Sequence, residues 1–294
     1  MRRRAGAVAA LGILALAGQA TSAQAALPSS HPGRSEAESR DPEAGAQSAG
    51  SRLSAQGRAG RDDEQGVAPG VVDATDYDAF WLWAGVAPQP VLERAKTLYL
   101  LAGQIAPPRY GRTGPEFAWG APRLYAQGGA TPHIRHGQVW IVYRAHTLDW
   151  PPEIYVQILA ELARWRAAGN PVVGIQIDFD ARTRHLDQYA AFLAGLRARL
   201  PADCRLGVTG LLDWSSQGDS AALTALAGVV DEVVLQTYQG RHTIPGYEAY
   251  LARLDRVRLP FKIGLVQGGD WTAPAGLAGD PWFRGYVVFL RNGG

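Results

Sequence analysis

The stretch Val172-Val173-Gly174-Ile175-Gln176-Ile177-Asp178-Phe179-Asp180 decides how this chain reads. Apolar residues run through it almost unbroken, the pattern of a strand covered on both faces. Gln176, Asp178 and Asp180 nevertheless stand at alternate positions, and alternate side chains of a strand share a face. Polar groups so placed are costly to bury unless they have partners or a task.

Seven more β-rich runs flank this one, at 80–83, 97–101, 139–144, 206–212, 232–238, 261–266 and 286–290. Helical patterns separate several of them. Pro151 and Pro152 open a helix that reaches Gly169, with Ile154, Ile158, Leu159, Leu162 and Trp165 at helical spacing. A second covers 186–200 and is stopped by Pro201. Shorter ones are predicted at 220–226 and 247–257. Residues 102–138, rich in Gly and Pro, read as an insertion in place of a helix, with a hairpin around 123–136. Eight strands in βα alternation predict an α/β fold, a small TIM-like (β/α)8 barrel with some helices short or missing. The competing open doubly wound sheet would place a Gly-rich phosphate turn after its first strand, and Ala84-Gly85-Val86-Ala87-Pro88 offers none.

Every Trp, Tyr and Phe lies at or after Tyr77, so the packed domain is expected to span 73–294. Ahead of it, Met1-Arg2-Arg3-Arg4, an apolar run over 5–18 and Ala23-Gln24-Ala25 form the pattern of a secretory signal over 1–25. The apolar run is short for a bilayer span, so cleavage and export to the periplasm or the extracellular space are expected, with no stable membrane span afterwards. Residues 26–72 hold few large apolar side chains and read as a disordered linker. Lys and Arg total 29 against 27 for Asp and Glu, which leaves no basic excess of the kind a generic nucleic-acid or membrane-surface binder needs. The lone Cys204 excludes an intramolecular disulfide and a four-thiolate zinc site, and is read as structural. His146 and His185 make no metal pattern with a nearby carboxylate, Ser215 and Ser216 lack a nucleophile elbow, and no cofactor or metal is expected. A monomer is expected.

In such a barrel, chemistry gathers at the carboxyl ends of the strands. The third run ends at Arg144, the fourth at Asp178 and Asp180, the fifth at Asp213 and Trp214, the sixth at Gln236 and Tyr238, and the seventh at Gln267. Trp83 closes the first. Carboxylates and amides satisfy sugar hydroxyls, while aromatic faces cover the C–H faces of the ring, so a poly- or oligosaccharide is the expected ligand. Cutting a glycosidic bond needs a protonated carboxyl and a second group at the oxocarbenium-like centre. Two aspartates crowded on one strand end raise the proton affinity of one of them.

The motif 173–180 resembles D-G-I-D-I-D-W-E, the fourth-strand signature of chitinase-like glycoside hydrolases. Leu235-Gln236-Thr237-Tyr238-Gln239 resembles their sixth-strand M-T-Y-D. Residues 76–294 as a whole resemble a bacterial family of predicted secreted proteins of unknown function. The chitinase-like resemblance implies Asp180 as the acid, Asp178 as the carboxylate supporting it and Tyr238 as a substrate contact. Gln176 stands in place of a carboxylate, Asp180 is one methylene shorter than Glu, and Gln239 replaces an acid. These departures leave room for a different second carboxylate, for which Asp213 is the candidate. Gln176, Gln236, Trp83, Trp214, Gln267 and Arg144 complete the expected sugar contacts.

Plainer readings stand beside these. Asp178 and Asp180 would also suit ion pairs with Arg144, Arg182 or Arg184, Asp213 a helix cap, and Tyr238 and the tryptophans simple packing. The rival functions are a catalytically inert carbohydrate-binding barrel and an envelope scaffold protein.

Overall fold

The computed structural model describes residues 70–83, 85–108, 120–128, 130–181, 185–214, 220–252 and 258–292. The expected signal sequence and nearly all of the expected linker lie outside these residues, as do Arg182, Arg184, Ser215 and Ser216. No helix among the described residues is long and apolar enough to cross a membrane.

Eight parallel strands close on one another: β1 (Ala79–Leu82), β2 (Thr97–Ala106), β3 (Gln138–Ala145), β4 (Val172–Asp178), β5 (Arg205–Leu211), β6 (Glu232–Gln236), β7 (Phe261–Val266) and β8 (Phe283–Phe289). Each pairs with its neighbours in chain order, and β8 pairs with β1 to complete the ring. Helices cover only part of it. α1 (Pro152–Ala167) follows β3, α2 (Leu186–Arg197) follows β4, α3 (Ser220–Ala227) follows β5, and the short α4 (Tyr247–Leu251) follows β6. After β1 there is only a 3-10 turn, Pro90–Arg94, and after β7 another, Leu277–Gly279. The fold is therefore the small (β/α)8 barrel, with helices that among the described residues are short or missing in several connections.

Two departures from the expected elements have local causes. β2 runs five residues beyond the apolar stretch that announces it, because its end gains a partner on the far side: Arg123–Ala126 pairs antiparallel with Gly103–Ala106. No hairpin forms between 123 and 136 among the described residues; the first arm pairs with β2 instead. β4 ends at Asp178 rather than Asp180, since the chain turns at once, with Ala181 N donating to Phe179 O at 2.7 Å.

The core has two layers. The outer one lies between strands and helices and includes Ile154, Ile158 and Leu162 of α1, Tyr189 and Leu193 of α2, and outward strand residues such as Ile175 and Val208. The inner one fills the barrel with Trp81, Tyr99, Leu101, Trp140, Val142, Val234 and Val287. Tyr99 stacks on Trp140 with centroids 5.7 Å apart. Such large rings fit a narrow barrel only where the neighbouring strands leave room beside them. A Cβ on Gly174 would lie 2.6 Å from Trp140 Cζ3, and one on Gly207 would lie 3.1 Å from the same atom. The cost of glycine in a strand is thus offset by room for an indole.

At the strand-start end the interior is closed by a polar plug. Tyr99 OH donates to Glu232 Oε1, and Lys262 Nζ donates to Glu232 Oε2 and to Tyr99 OH, each at 2.9 Å. Asp178 and Asp180 lie at the other end, where β4 finishes.

Candidate functional site

Register builds the site. Asp178, the last residue of β4, lies opposite Arg144 of β3, and Arg144 lies opposite Gln104 of β2. On the other side, Ile177 pairs with Val208, which brings Thr209 of β5 beside Asp178. Gln104, Arg144, Asp178 and Thr209 therefore form a polar row across four strands. The Thr209 hydroxyl donates to Asp178 Oδ1 at 2.8 Å. Arg144 Nη1 stands 3.6 Å from Asp178 Oδ2, and Nη2 stands 3.6 Å from Asp180 Oδ2. At these distances the guanidinium is an electrostatic neighbour of both carboxylates rather than a tight fork on either.

The two aspartates differ in access. The Asp178 side chain is 5% exposed and that of Asp180 63%. Burial pushes the Asp178 carboxyl above the usual carboxylate range; Arg144 and the Thr209 hydrogen bond pull it back, and Asp180 adds to the rise. Asp180 sits on a turn fixed from behind. Phe179 leans against Tyr189 at 5.3 Å between centroids, and Trp214 Nε1 donates to Ala181 O at 2.9 Å. His146 at the rim places Nε2 3.1 Å from Gln104 Oε1, and burial, helped by Arg144, lowers its proton affinity.

An aromatic wall faces the polar row. Trp83 follows β1 and meets Phe289 of β8 edge to face at 5.6 Å, and Tyr238 lies 5.8 Å from the same Phe289 ring. The Arg144 guanidinium carbon stands 5.2 Å from the Trp83 ring centroid, close enough for a cation–π contact that orients it. Burial, with the Asp178 charge, keeps the Tyr238 phenol well above its ordinary range, so it remains a neutral hydroxyl. Gln236 ends β6 half-buried, two residues from the inward Val234.

The remaining predicted residues take other places. Gln176 lies deeper in the barrel, fully buried, and accepts from Trp81 Nε1 at 2.7 Å. Trp214 is buried in the outer layer, where it pins the turn that carries Asp180. Gln267 exchanges amide hydrogen bonds with Gln89 at 3.0 and 3.1 Å, and its Oε1 also accepts from Arg291 N, so it ties the end of β7 to the β1–β2 connection. Asp213 is half-buried, one residue before Trp214. The structure thus gathers Asp178, Asp180, Arg144, Trp83 and Tyr238, and adds Thr209, Gln104 and Phe289, which the sequence reading missed. Thr209 could have been found as the one polar side chain in the apolar run 206–212, on the face of Gly207 and Leu211. Among the described residues no three His, Cys, Asp or Glu side chains group as a metal site would require.

Residues 145–255, from the end of β3 past α4, match a family model described as a domain of unknown function, DUF3142. This agrees with the resemblance to a family of unknown function read from the sequence. No curated protein matches the chain with significance. Among solved structures, the chain is similar to the spore cortex-lytic enzyme SleL of Bacillus cereus at 16% identity and TM-score 0.39, over 58% of this chain and 43% of that one. It therefore spans less than half of the SleL chain. It is also similar to the chitinase domain of the spore coat protein CotE from Clostridium difficile, at 12% identity and TM-score 0.39 over 69% and 67% of the two chains. A third likeness is to the xylanase and alpha-amylase inhibitor protein XAIP-II from Scadoxus multiflorus, at 11% identity and TM-score 0.38 over 66% and 83%.

Proposed function

We propose that this barrel is an exported glycoside hydrolase that cuts an envelope or extracellular polysaccharide by carboxylate general acid catalysis. The observation that carries the reading is the pairing of an exposed Asp180 with a buried Asp178 on one strand end, with Arg144 beside both. Asp178 holds its proton more tightly than an ordinary aspartate because burial disfavours its charged form, and Arg144 stands beside both carboxyls. Asp180, in its protonated form, is the group that reaches the glycosidic oxygen; it gives up that proton as the C–O bond breaks and is left as a carboxylate beside Arg144. A second carboxylate takes the proton of the attacking water, and Asp213 is the candidate for that role. The wall of Trp83, Phe289 and Tyr238 suits the apolar face of a sugar ring, and the polar row suits its hydroxyls.

A second reading, a catalytically inert carbohydrate-binding barrel, is favoured by one feature: Arg144 stands at the same distance from both carboxylates, an arrangement that serves hydroxyl recognition without chemistry. Incubation with a panel of neutral and acidic glycans, read by released reducing ends and by calorimetry, separates the two. Cleavage that disappears in Asp180→Asn supports the hydrolase. Heat of binding with no cleavage supports the inert barrel.

A further inference from the structure

All eight barrel strands begin at one end, so the residues at their starts ring a single face. The near-neutral composition hides what collects there. Arg135 precedes β3, Arg205 begins β5, Arg258 precedes β7 and Arg284 is second in β8; all four are exposed. Four acids of the same end are matched, Asp78 with Lys96 at 2.8 Å, Asp203 with Arg166 at 3.1 Å, Asp231 with Arg197 at 2.8 Å and Glu232 with Lys262 at 2.9 Å, while Asp76 and Glu93, ahead of β1 and β2, are exposed. Asp280 accepts from Trp282 N at 2.7 Å, and Arg284 donates only to the carbonyls of Pro281 and Phe283. Among the described residues the four arginines have no carboxylate partner.

An apolar feature accompanies this charge. Trp282 is 38% exposed beside the start of β7, its carbonyl accepting from Phe261 N. A hollow of about 610 Å³, lined by Arg94, Lys96, His136 and Gln138 among others, opens at the same end. A soluble polyanion requires only the cations. An exposed indole set among arginines is the composition of a membrane-interface contact.

We propose that the strand-start face docks on an anionic lipid bilayer, with Arg135, Arg205, Arg258 and Arg284 on the headgroups and Trp282 as the interfacial anchor. Docked this way, the opposite end, with Asp178 and Asp180, faces away from the lipid. The inference is independent of what that end does.

Co-sedimentation of the full chain with vesicles tests it, using phosphatidylcholine alone and phosphatidylcholine mixed with phosphatidylglycerol. The full chain is expected to bind the mixed vesicles and to release them at high salt. Each cation near such a surface is worth about fivefold in partitioning. Arg205→Glu with Arg258→Glu should therefore lose about twenty-five-fold or more. Arg123→Glu with Arg241→Glu makes the same charge change at the opposite end and should bind as the parent does. The apolar run over 5–18 is present in every arm and cannot account for a difference between them. Matching thermal melts exclude misfolding of either variant. Trp282→Ala should weaken vesicle binding while leaving binding to soluble polyphosphate unchanged. Absence of binding to the mixed vesicles, equal loss in both double variants, or indifference of vesicle binding to Trp282→Ala would overturn the proposal.

Discussion

Thr209 donates its hydroxyl to Asp178 Oδ1 at 2.8 Å from one neighbouring strand, while Arg144 faces Oδ2 at 3.6 Å from the other. The carboxyl at the end of β4 is thus held from both sides and shut off from water. Thr209→Val keeps the shape and deletes the donor. It should cost about 1–3 kcal/mol in urea unfolding, the usual penalty for orphaning a buried acceptor. It should also raise the Asp178 proton affinity further, visible by carboxyl ¹³C NMR titration. Unchanged stability together with an unchanged titration would remove Thr209 from the site.

The pH dependence of stability follows from the same burial. Burial raises the Asp178 carboxyl pKa in the folded chain, so the native state binds more protons than the unfolded one between the ordinary aspartate value and the raised one. Its contribution to stability is fully present below the unfolded pKa and is lost as pH rises through the folded one. Asp178→Asn cannot ionise. The melting temperature of the variant relative to the parent should therefore climb as pH rises from acid toward neutral. A flat difference would show that burial does not govern this group.

Much of this was legible in the sequence, and for physical reasons. The parallel strands lie in apolar runs because both faces are covered, and the polar side chains that break those runs near their ends mark the strand-end face of the barrel. Depth was not legible. Gln176 and Asp178 alternate on one strand, yet Gln176 meets the Trp81 indole inside the barrel while Asp178 stands at its mouth. Direction after a strand was not legible either: Trp214 follows β5 on a helical turn that swings its ring into the outer layer, and Gln267 follows β7 into a clasp with Gln89. Partners such as Thr209 and Phe289 come from register and ring closure, which no single strand encodes.

The interior glycines can be tested by adding one methyl group. Gly174→Ala would place its Cβ 2.6 Å from Trp140 Cζ3 and 2.5 Å from Arg205 O, where the backbone cannot easily give way. A loss of about 1–3 kcal/mol or more is expected in chemical denaturation, the cost of overpacking. Gly174→Ala combined with Trp140→Phe should recover part of it. Equal loss with and without the smaller ring would assign the effect to the backbone contact instead.

Trp81→Phe removes the indole N–H that donates to Gln176 Oε1, and among the described residues Gln176 Nε2 is already buried without a partner. The orphaned amide should cost about 1–3 kcal/mol beyond the smaller ring itself. Adding Gln176→Leu takes away the polar group that needs a partner, and the double variant should be more stable than Trp81→Phe alone. A double-mutant cycle by urea unfolding measures this coupling. Additive losses would deny that the hydrogen bond matters.

The central claim is that Asp180, exposed beside a buried Asp178, carries the chemistry. Reducing-end release from a cleaved glycan, compared between the parent and Asp180→Asn in one assay, tests it most directly. The account predicts a fall of about a hundred- to ten-thousandfold, the usual worth of a positioned acid, with the melting temperature preserved. Equal rates in the two proteins would contradict it.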